Sequence, residues 1–460
     1  MSKKPLSLIE GRVSTTLLRF ALPFLGANIL QSLYGAIDLL IIGRYCDSAA
    51  IAAVSIGSQV MMTLLGLIIG VSTGCTVLIG QKVGEGDKEK AARSFGSAIA
   101  LAIILAVVIT PIMILVASPI LGLMNTPTEA LQYAKQYLIT CACGIPFILG
   151  YNALSGFFRA TGDSKTPMIF VFISSCINVV GNILLIGVFK MGALGAALAT
   201  ILSQLASLVA ALIFVIKKGL PFEFHASYIR PVPKAVFFIM KVGIPLAVQE
   251  VLVNFSFLLI TTMVNGLGVV ASASVGIVEK ILGFVMMPPM AFSAAVTTMA
   301  AQNIGAKQPK RALSGLKYGI LYSSIFGIAI TLAAFISAES ITGIFAKEEA
   351  VKIMAATYLR PYSIDCILIC IVFLMNGYFN GCGKSVISLV HSLVATFVVR
   401  VPLCFLSIER CAATGTLTPM GWCMPIASVA SLIITCIYFV WLIKKGLPAQ
   451  QARLEANAES

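Results

Sequence analysis

The sequence predicts an all-α membrane protein of twelve transmembrane helices in two parallel six-helix repeats. Three observations predict it. The first is composition: 59% of the 460 residues are hydrophobic and 11% are charged, where a soluble chain carries about 25% charged residues. Mean hydropathy is +0.99. The second is that apolar runs long enough to cross a bilayer recur from end to end. Transmembrane β-strands would leave short alternating segments instead. The third is an internal repeat.

The first run, Thr16 to Ile42, contains a single acid, Asp38. Its basic leader runs into a stretch too long for a cleavable signal peptide, and no clear cleavage signal follows. The remaining spans are expected near 50–80, 93–117, 130–158, 167–189, 193–216, 236–265, 270–301, 312–336, 351–380, 385–406 and 421–443. Several exceed 25 residues, so tilt, kinks or projecting ends are expected. Pro288 and Pro289 should bend or break the eighth span.

The repeat is read from four motifs. FALP with Pro23 matches VGIP with Pro245, 222 residues on. GQKVGEGDKEKAARS matches AQNIGAKQPKRALSG, with Gln81 and Gln302 separated by 221. SGFFRATGDSK matches NGYFNGCGKSV, with Gly156 and Gly377 again 221 apart. Both halves close on IKKGLP. Six spans per repeat return the chain to its starting side, so the repeat is parallel. The domains are therefore 1–218, a linker at 219–234 rich in proline, 235–446, and a tail at 447–460.

Twenty-three lysines and arginines fall in one set of alternate loops and termini, and five in the other. This bias places both termini in the cytoplasm. It also accounts for the net charge of +14 without nucleic acid, for which no soluble basic domain exists. No phosphate-cradling loop with its lysine marks an ATP site. No cluster of acids, histidines or nucleophiles marks an enzyme. The charges of GEGDKEKA fit a solvated loop that starts a helix. The twelve cysteines lie mostly in apolar runs and read as small packing residues. His225 and His391 have no metal-site spacing.

An ionisable residue within a span is costly and marks a functional candidate. Gln31, Tyr34 and Asp38 share one helical stripe. Asn178 and Asn182 form an i, i+4 pair in the fifth span, and Thr200 and Gln204 another in the sixth; such residues either bond helices together or serve the acid. Gln31, Tyr34, Gln249, Glu250, Met286 and Met287 are the candidates for lining a substrate path. Met is adaptable enough for varied apolar ligands, and equally suited to packing. For Glu250, Glu279, Lys280, Asp365, Arg360 and Arg400 the sequence leaves open an ion pair, an interfacial position or a transport role.

The segments SLYGAIDLLIIGRY, AIAAVS, GQKVGEGD, FFRATGDSKTP and GALGAALAT, in that order over nearly the whole chain, resemble the multidrug and toxic compound extrusion (MATE) family, and most closely its DinF-like branch. The resemblance implies the two-lobe fold and a cation-coupled antiporter. Such a protein exports organic, often cationic or amphipathic, compounds across the cell membrane by alternating access. It implies no cofactor, with protons favoured as the coupling ion and sodium the alternative. It implies a monomer in a bacterial-type inner membrane, with small organic molecules and the bilayer as partners. In that branch an acid in helix 1 is the proposed protonation site. A tyrosine in helix 4, polar residues in helix 5 and a threonine in helix 6 surround it. The matching residues are Asp38, Tyr137, Asn178, Asn182 and Thr200. Asn182 is a departure, because the branch commonly has a second acid there. The sodium-using branch relies on acids in helices 7 and 10; Glu250 and Asp365 lie in those helices without matching the spacing. A flippase for lipid-linked sugars would keep the fold and change the cargo, but Arg360 and Arg400 are few for binding phosphate.

Overall fold

The computed structural model describes residues 6–446. The expected tail at 447–460 with Arg453, and Lys3 and Lys4 at the other end, lie outside the described residues. In chain order the helices are α1 (Val13–Tyr45), α2 (Ser48–Gly84), α3 (Lys88–Leu123), α4 (Thr128–Cys143), α5 (Ile145–Ala160), α6 (Lys165–Asn182) and α7 (Gly192–Lys218), then α8 (Pro233–Asn265), α9 (Val269–Val285), α10 (Met287–Gly305), α11 (Pro309–Gly343), α12 (Glu349–Ser363), α13 (Asp365–Gly381), α14 (Ser385–Leu393), α15 (Val401–Thr414) and α16 (Thr418–Trp441). Wider π-type turns extend α6 over Ile183–Val188 and join α14 to α15 over Val394–Arg400.

Ten of these stretches are long and apolar enough to cross a bilayer, and the bent pairs α4–α5 and α12–α13 complete twelve. The helices overrun the expected spans by several residues, as the eleventh and twelfth show at Thr414 and Thr418. The expected break in the eighth span falls at Met286, between α9 and α10, and Pro288–Pro289 sit in the first turn of α10. Proline is tolerated there because first-turn N–H groups have no intrahelical acceptor. The fourth span bends by 44° at Gly144, just before Pro146, and the tenth by 46° at Ile364, just after Pro361.

The loop carrying GEGDKEKA starts α3 as expected. Gly86 takes φ +76°, a left-handed conformation that suits glycine, and the Asp87 carboxylate then accepts from the Lys90 backbone N–H at 2.9 Å. Asp47 caps α2 in the same way, accepting from Ala50 N at 2.8 Å.

The chain forms two compact units, which divide elsewhere than at the linker. The first holds the described residues up to Ser7 and Arg19–Ala247; the second holds Leu8–Leu18 and Val248 onward. The first unit has an apolar core that includes Ile42, Leu121, Leu138 and Ile145. A second core is aromatic: Phe95 and Phe157 lie 4.4 Å apart, and Phe222 of the linker meets Phe157 edge-on at 5.6 Å. Residues 219–234 are thus packed, and Ser97 Oγ fixes them further by donating to Arg230 O at 3.1 Å. The second unit packs around Ile260, Val278, Leu359 and Met420. It also holds the arm before α1. Leu8 is fully buried, Asn303 donates to its carbonyl at 3.1 Å, and Arg311 donates to the carbonyls of Leu8, Glu10 and Gly11.

Candidate functional site

The first unit builds a polar ladder between α1 and α6. Tyr34 and Asp38 lie one turn apart on α1, and Asn178 and Asn182 one turn apart on α6. Each rung joins residues 144 apart in the chain. On one rung Asn178 Nδ2 donates to the Tyr34 hydroxyl at 3.3 Å. On the other, Asn182 Nδ2 donates to Asp38 Oδ1. The asparagines are tied along α6, with Asn182 Nδ2 also donating to Asn178 Oδ1 at 2.7 Å. Both are fully buried. Tyr34 makes hydrogen-bonding contacts with Asp38 and with Thr200 of α7. Four of the five residues expected to couple an ion, Asp38, Asn178, Asn182 and Thr200, therefore converge. Tyr34, expected along the substrate path, belongs to this ladder.

Tyr137 stands one step away. Its ring lies over Gly57 of α2, where any Cβ would clash with it, and its hydroxyl pairs with Ser58 Oγ at 2.9 Å. It reaches the ladder only as an electrostatic neighbour of Tyr34. Asn182 Oδ1 is buried without a hydrogen-bond partner. The acid thus accepts from an amide whose own carbonyl oxygen is unpaired.

The residues expected to line a substrate path are less unified. Gln31 and Glu250 are exposed and Gln249 is half-buried. Met287 is buried, and Met286 packs against the apolar core of the second unit.

The second unit has polar chemistry of its own, which the sequence left open residue by residue. Arg360 pairs with Glu339 at 3.0 Å, both exposed, and Lys280 is exposed; these two are surface charges. Glu279 of α9, Asp365 at the bend before α13 and Arg400 at the end of the π-type turn form a separate group. Arg400 is an electrostatic neighbour of Asp365, and Tyr362 is a neighbour of Glu279, Asp365 and Arg400 together. Tyr358 neighbours Glu279 and Arg400. Asp365 hydrogen-bonds Ser428 of α16, and the Arg400 guanidinium sits 5.3 Å from the centre of the Phe257 ring. One signal for this cluster was in the repeat: the 221-residue offset carries Ser58 onto Glu279 and Tyr137 onto Tyr358.

A family model described as MatE matches residues 23–184 and again residues 245–406, one match to each repeat. The chain is 27% identical to a Bacillus subtilis protein named "Probable multidrug resistance protein YoeA", over 93% of each chain. It is 25% identical to the multidrug export protein MepA of Staphylococcus aureus, over 97% of each. Among solved structures, a MATE in the straight conformation superposes with TM-score 0.89 at 20% identity, covering 98% of this chain and 100% of the other. An outward-facing multidrug resistance MATE family transporter of the MOP superfamily gives 0.88 at 21% identity, with the same coverage. The structural likeness establishes the twelve-helix, two-lobe fold.

Proposed function

The chain belongs to the MatE family, and on that premise we propose that it is a proton-coupled antiporter exporting organic, often cationic, amphipathic compounds. Asp38 is the coupling group in this reading. The observation that carries it is the Asn182 amide, which donates to Asp38 through Nδ2 and keeps Oδ1 free. A carboxylate accepts the amide N–H. Once protonated, it gains an O–H that the amide oxygen receives when the Asn182 side chain turns its carbonyl toward the acid. Asn182 thereby serves both protonation states, and the missing second acid in this lobe is not needed. The other partner of Asp38 is the Tyr34 hydroxyl, also a donor. The preference for a proton over sodium rests on this exchange of donor and acceptor roles, which a protonated carboxyl needs and a bound cation does not.

A proton from outside would neutralise Asp38 and favour substrate release; the deprotonated state would favour capture of a cation from inside. Only a difference in interaction between the two states can drive the cycle. The relatives named for multidrug resistance and export support a drug-like cargo. The basic-loop asymmetry supports cytoplasmic termini in a bacterial inner membrane, so a tag on the C-terminus should be reached by protease from the cytoplasmic side alone.

The test is dye efflux from proteoliposomes with proton and sodium gradients imposed separately. Wild type should follow the proton gradient, and Asp38→Asn should fall to the background of empty vesicles. Wild-type rates in Asp38→Asn, or efflux driven by sodium alone, would sink the mechanism.

A further inference from the structure

The first unit holds a cavity of about 500 Å³ between α3, α5 and α7 that no role yet absorbs. α5 packs against both α3 and α7 and forms its floor. Small residues open it: Ala102 and Ala106 one turn apart on α3, and Gly150 and Ala153 on α5. A Cβ at Gly150 would already meet the Leu208 methyls at 3.2 Å, so a larger side chain there would take up the space. The rim differs from the floor. Ile103, Val107 and Leu212 are exposed, and they continue an exposed apolar surface that includes Ile104, Val108 and Ile213. On a spanning helix such a surface faces lipid. The cavity is therefore a groove open to the bilayer.

Its chemistry is hydrocarbon throughout. Thr110 is the one hydroxyl residue on the lining, and its Oγ1 is itself covered. A compound rich in charge or heteroatoms would find no partner for them here, and an apolar space without polar partners does not hold water. A saturated chain loses nothing by entering. Its gain over the surrounding tails is the set of contacts that an unfilled wall forfeits, because those tails are equally apolar.

Dimensions and charge single out the chain. The lining runs along α3 from Ile99 to Pro111, about 18 Å at 1.5 Å per residue. That is close to the depth of one leaflet's tails, half of a layer about 30 Å thick. One end of the groove, Leu212, lies six residues before Lys218 on α7, about 9 Å along the axis. Lys217 and Lys218 are exposed and in no ion pair among the described residues. Lys218 folds back toward the apolar layer, with its ammonium 4.7 Å from the centre of the Phe214 ring. Two lysines without an acid thus stand at the headgroup level, at the end where a chain would enter.

We propose that this groove binds one acyl chain of an anionic phospholipid, with the chain along Ala102, Ala106 and Ala153 and the phosphate at Lys217 and Lys218. The basic-loop bias makes this a lipid of the cytoplasmic leaflet. The bound chain fills the wedge beside Pro146, next to the 44° bend at Gly144, so the lipid stabilises the first unit by mass action. Binding of this kind needs no antiport, and it stands or falls separately from the coupling at Asp38.

The test is native mass spectrometry of the purified full chain in detergent, titrated with phosphatidylglycerol or with phosphatidylcholine carrying the same chains. Wild type should bind one phosphatidylglycerol at least about tenfold more tightly than any further lipid. It should prefer that lipid over phosphatidylcholine by roughly fivefold per lysine. Ala106→Leu, which fills the groove, should weaken the first lipid of either headgroup roughly tenfold. Val107→Trp covers the mouth from an exposed position, and it serves the same purpose if Ala106→Leu does not fold. Replacing both lysines, Lys217→Gln with Lys218→Gln, should bring phosphatidylglycerol down to the affinity of phosphatidylcholine and leave the latter unchanged. Phosphatidylglycerol should raise the unfolding temperature of wild type more than that of Ala106→Leu. A first lipid held no more tightly than the rest would overturn the proposal. So would an affinity unchanged in the filling variants, or a headgroup preference that survives loss of both lysines. Displacement of the first lipid by a cationic rhodamine methyl ester would also overturn it, by making the groove a path for cargo.

Discussion

The two lobes share a frame and differ in what they bury inside it. Each bends its fourth helix, by 44° in the first lobe and 46° in the second. Yet the first lobe surrounds one acid, Asp38, with neutral amides and hydroxyls that leave one oxygen of the ladder, Asn182 Oδ1, unpaired. The second buries Asp365 and half-buries Glu279 and Arg400, with four of their atoms unpaired. Where the first lobe has Asp38, the second has Ile260 at the 222-residue offset, fully buried in apolar packing. Where the second has Glu279 beside Tyr358, the first has Ser58 bonded to Tyr137. A duplicated scaffold fixes helix paths through glycines, prolines and apolar faces. It leaves interior polar positions free to diverge, because each needs only its own local partners. The lobes can thus differ in function, as the proposed coupling at Asp38 requires.

The largest effect that tests this division is expected at Asn182. Asn182→Leu removes the donor to Asp38 and the free carbonyl with it. Efflux should drop roughly tenfold or more, and the buried unpaired acid should cost about 1–3 kcal/mol of stability. Cys404 is the second-lobe residue at the same 222-residue offset, and it is fully buried. Cys404→Ser should leave efflux within about twofold of wild type. If the two variants lose transport equally in the same vesicle assay, the lobes are not functionally distinct.

A smaller effect is expected at Tyr137, because its hydroxyl bonds Ser58 and has no direct bond to the acid. Tyr137→Phe should cost about 1 kcal/mol in thermal unfolding and lower efflux far less than Asn182→Leu does. An efflux loss as deep as that of Asn182→Leu would bring Tyr137 into the coupling unit, where the family resemblance put it.

The sequence carried more of the frame than of the interiors. Twelve spans, the parallel repeat and the separate faces of Asp38 and of Asn178–Asn182 were legible from hydropathy, recurring motifs and helical spacing; that the two faces belong together came only from the family resemblance. The role of Tyr34 was half legible. Its place on the Asp38 stripe was plain, but the partner that claims it, Asn178, lies 144 residues away. The break at Gly144 had its signal in Pro146. The docking of Leu8 under Asn303 and Arg311 had none, since nearly 300 residues separate the partners. The cluster at Arg400 was hidden because each charge was weighed alone. Only the fold separates Arg360, paired with Glu339 at the surface, from Arg400, held inside.

The smallest effect lies at the loops that start α3 and α11. Asp87 caps α3, and the 221-residue offset places Gln308 at the start of α11, where no side chain caps the helix. The Lys90 backbone N–H, followed by the Lys90 ammonium, holds the Asp87 carboxyl below its ordinary range. A carboxyl lowered by folding adds stability above its unfolded value, near pH 4, and loses it as pH falls through the folded one. Asp87→Ala should therefore cost about 1 kcal/mol at neutral pH, with the gap to wild type closing in acid. Gln308→Asp should gain up to about 1 kcal/mol at neutral pH and nothing in acid, because a protonated cap is a weaker acceptor for the helix N–H groups. Thermal unfolding in detergent at neutral and acid pH reads both. A pH-independent cost at Asp87 would mean that its contribution there is not that of an ionised cap. A neutral-pH gain at Gln308 would show that the two lobes accept the same local chemistry where no interior function constrains them.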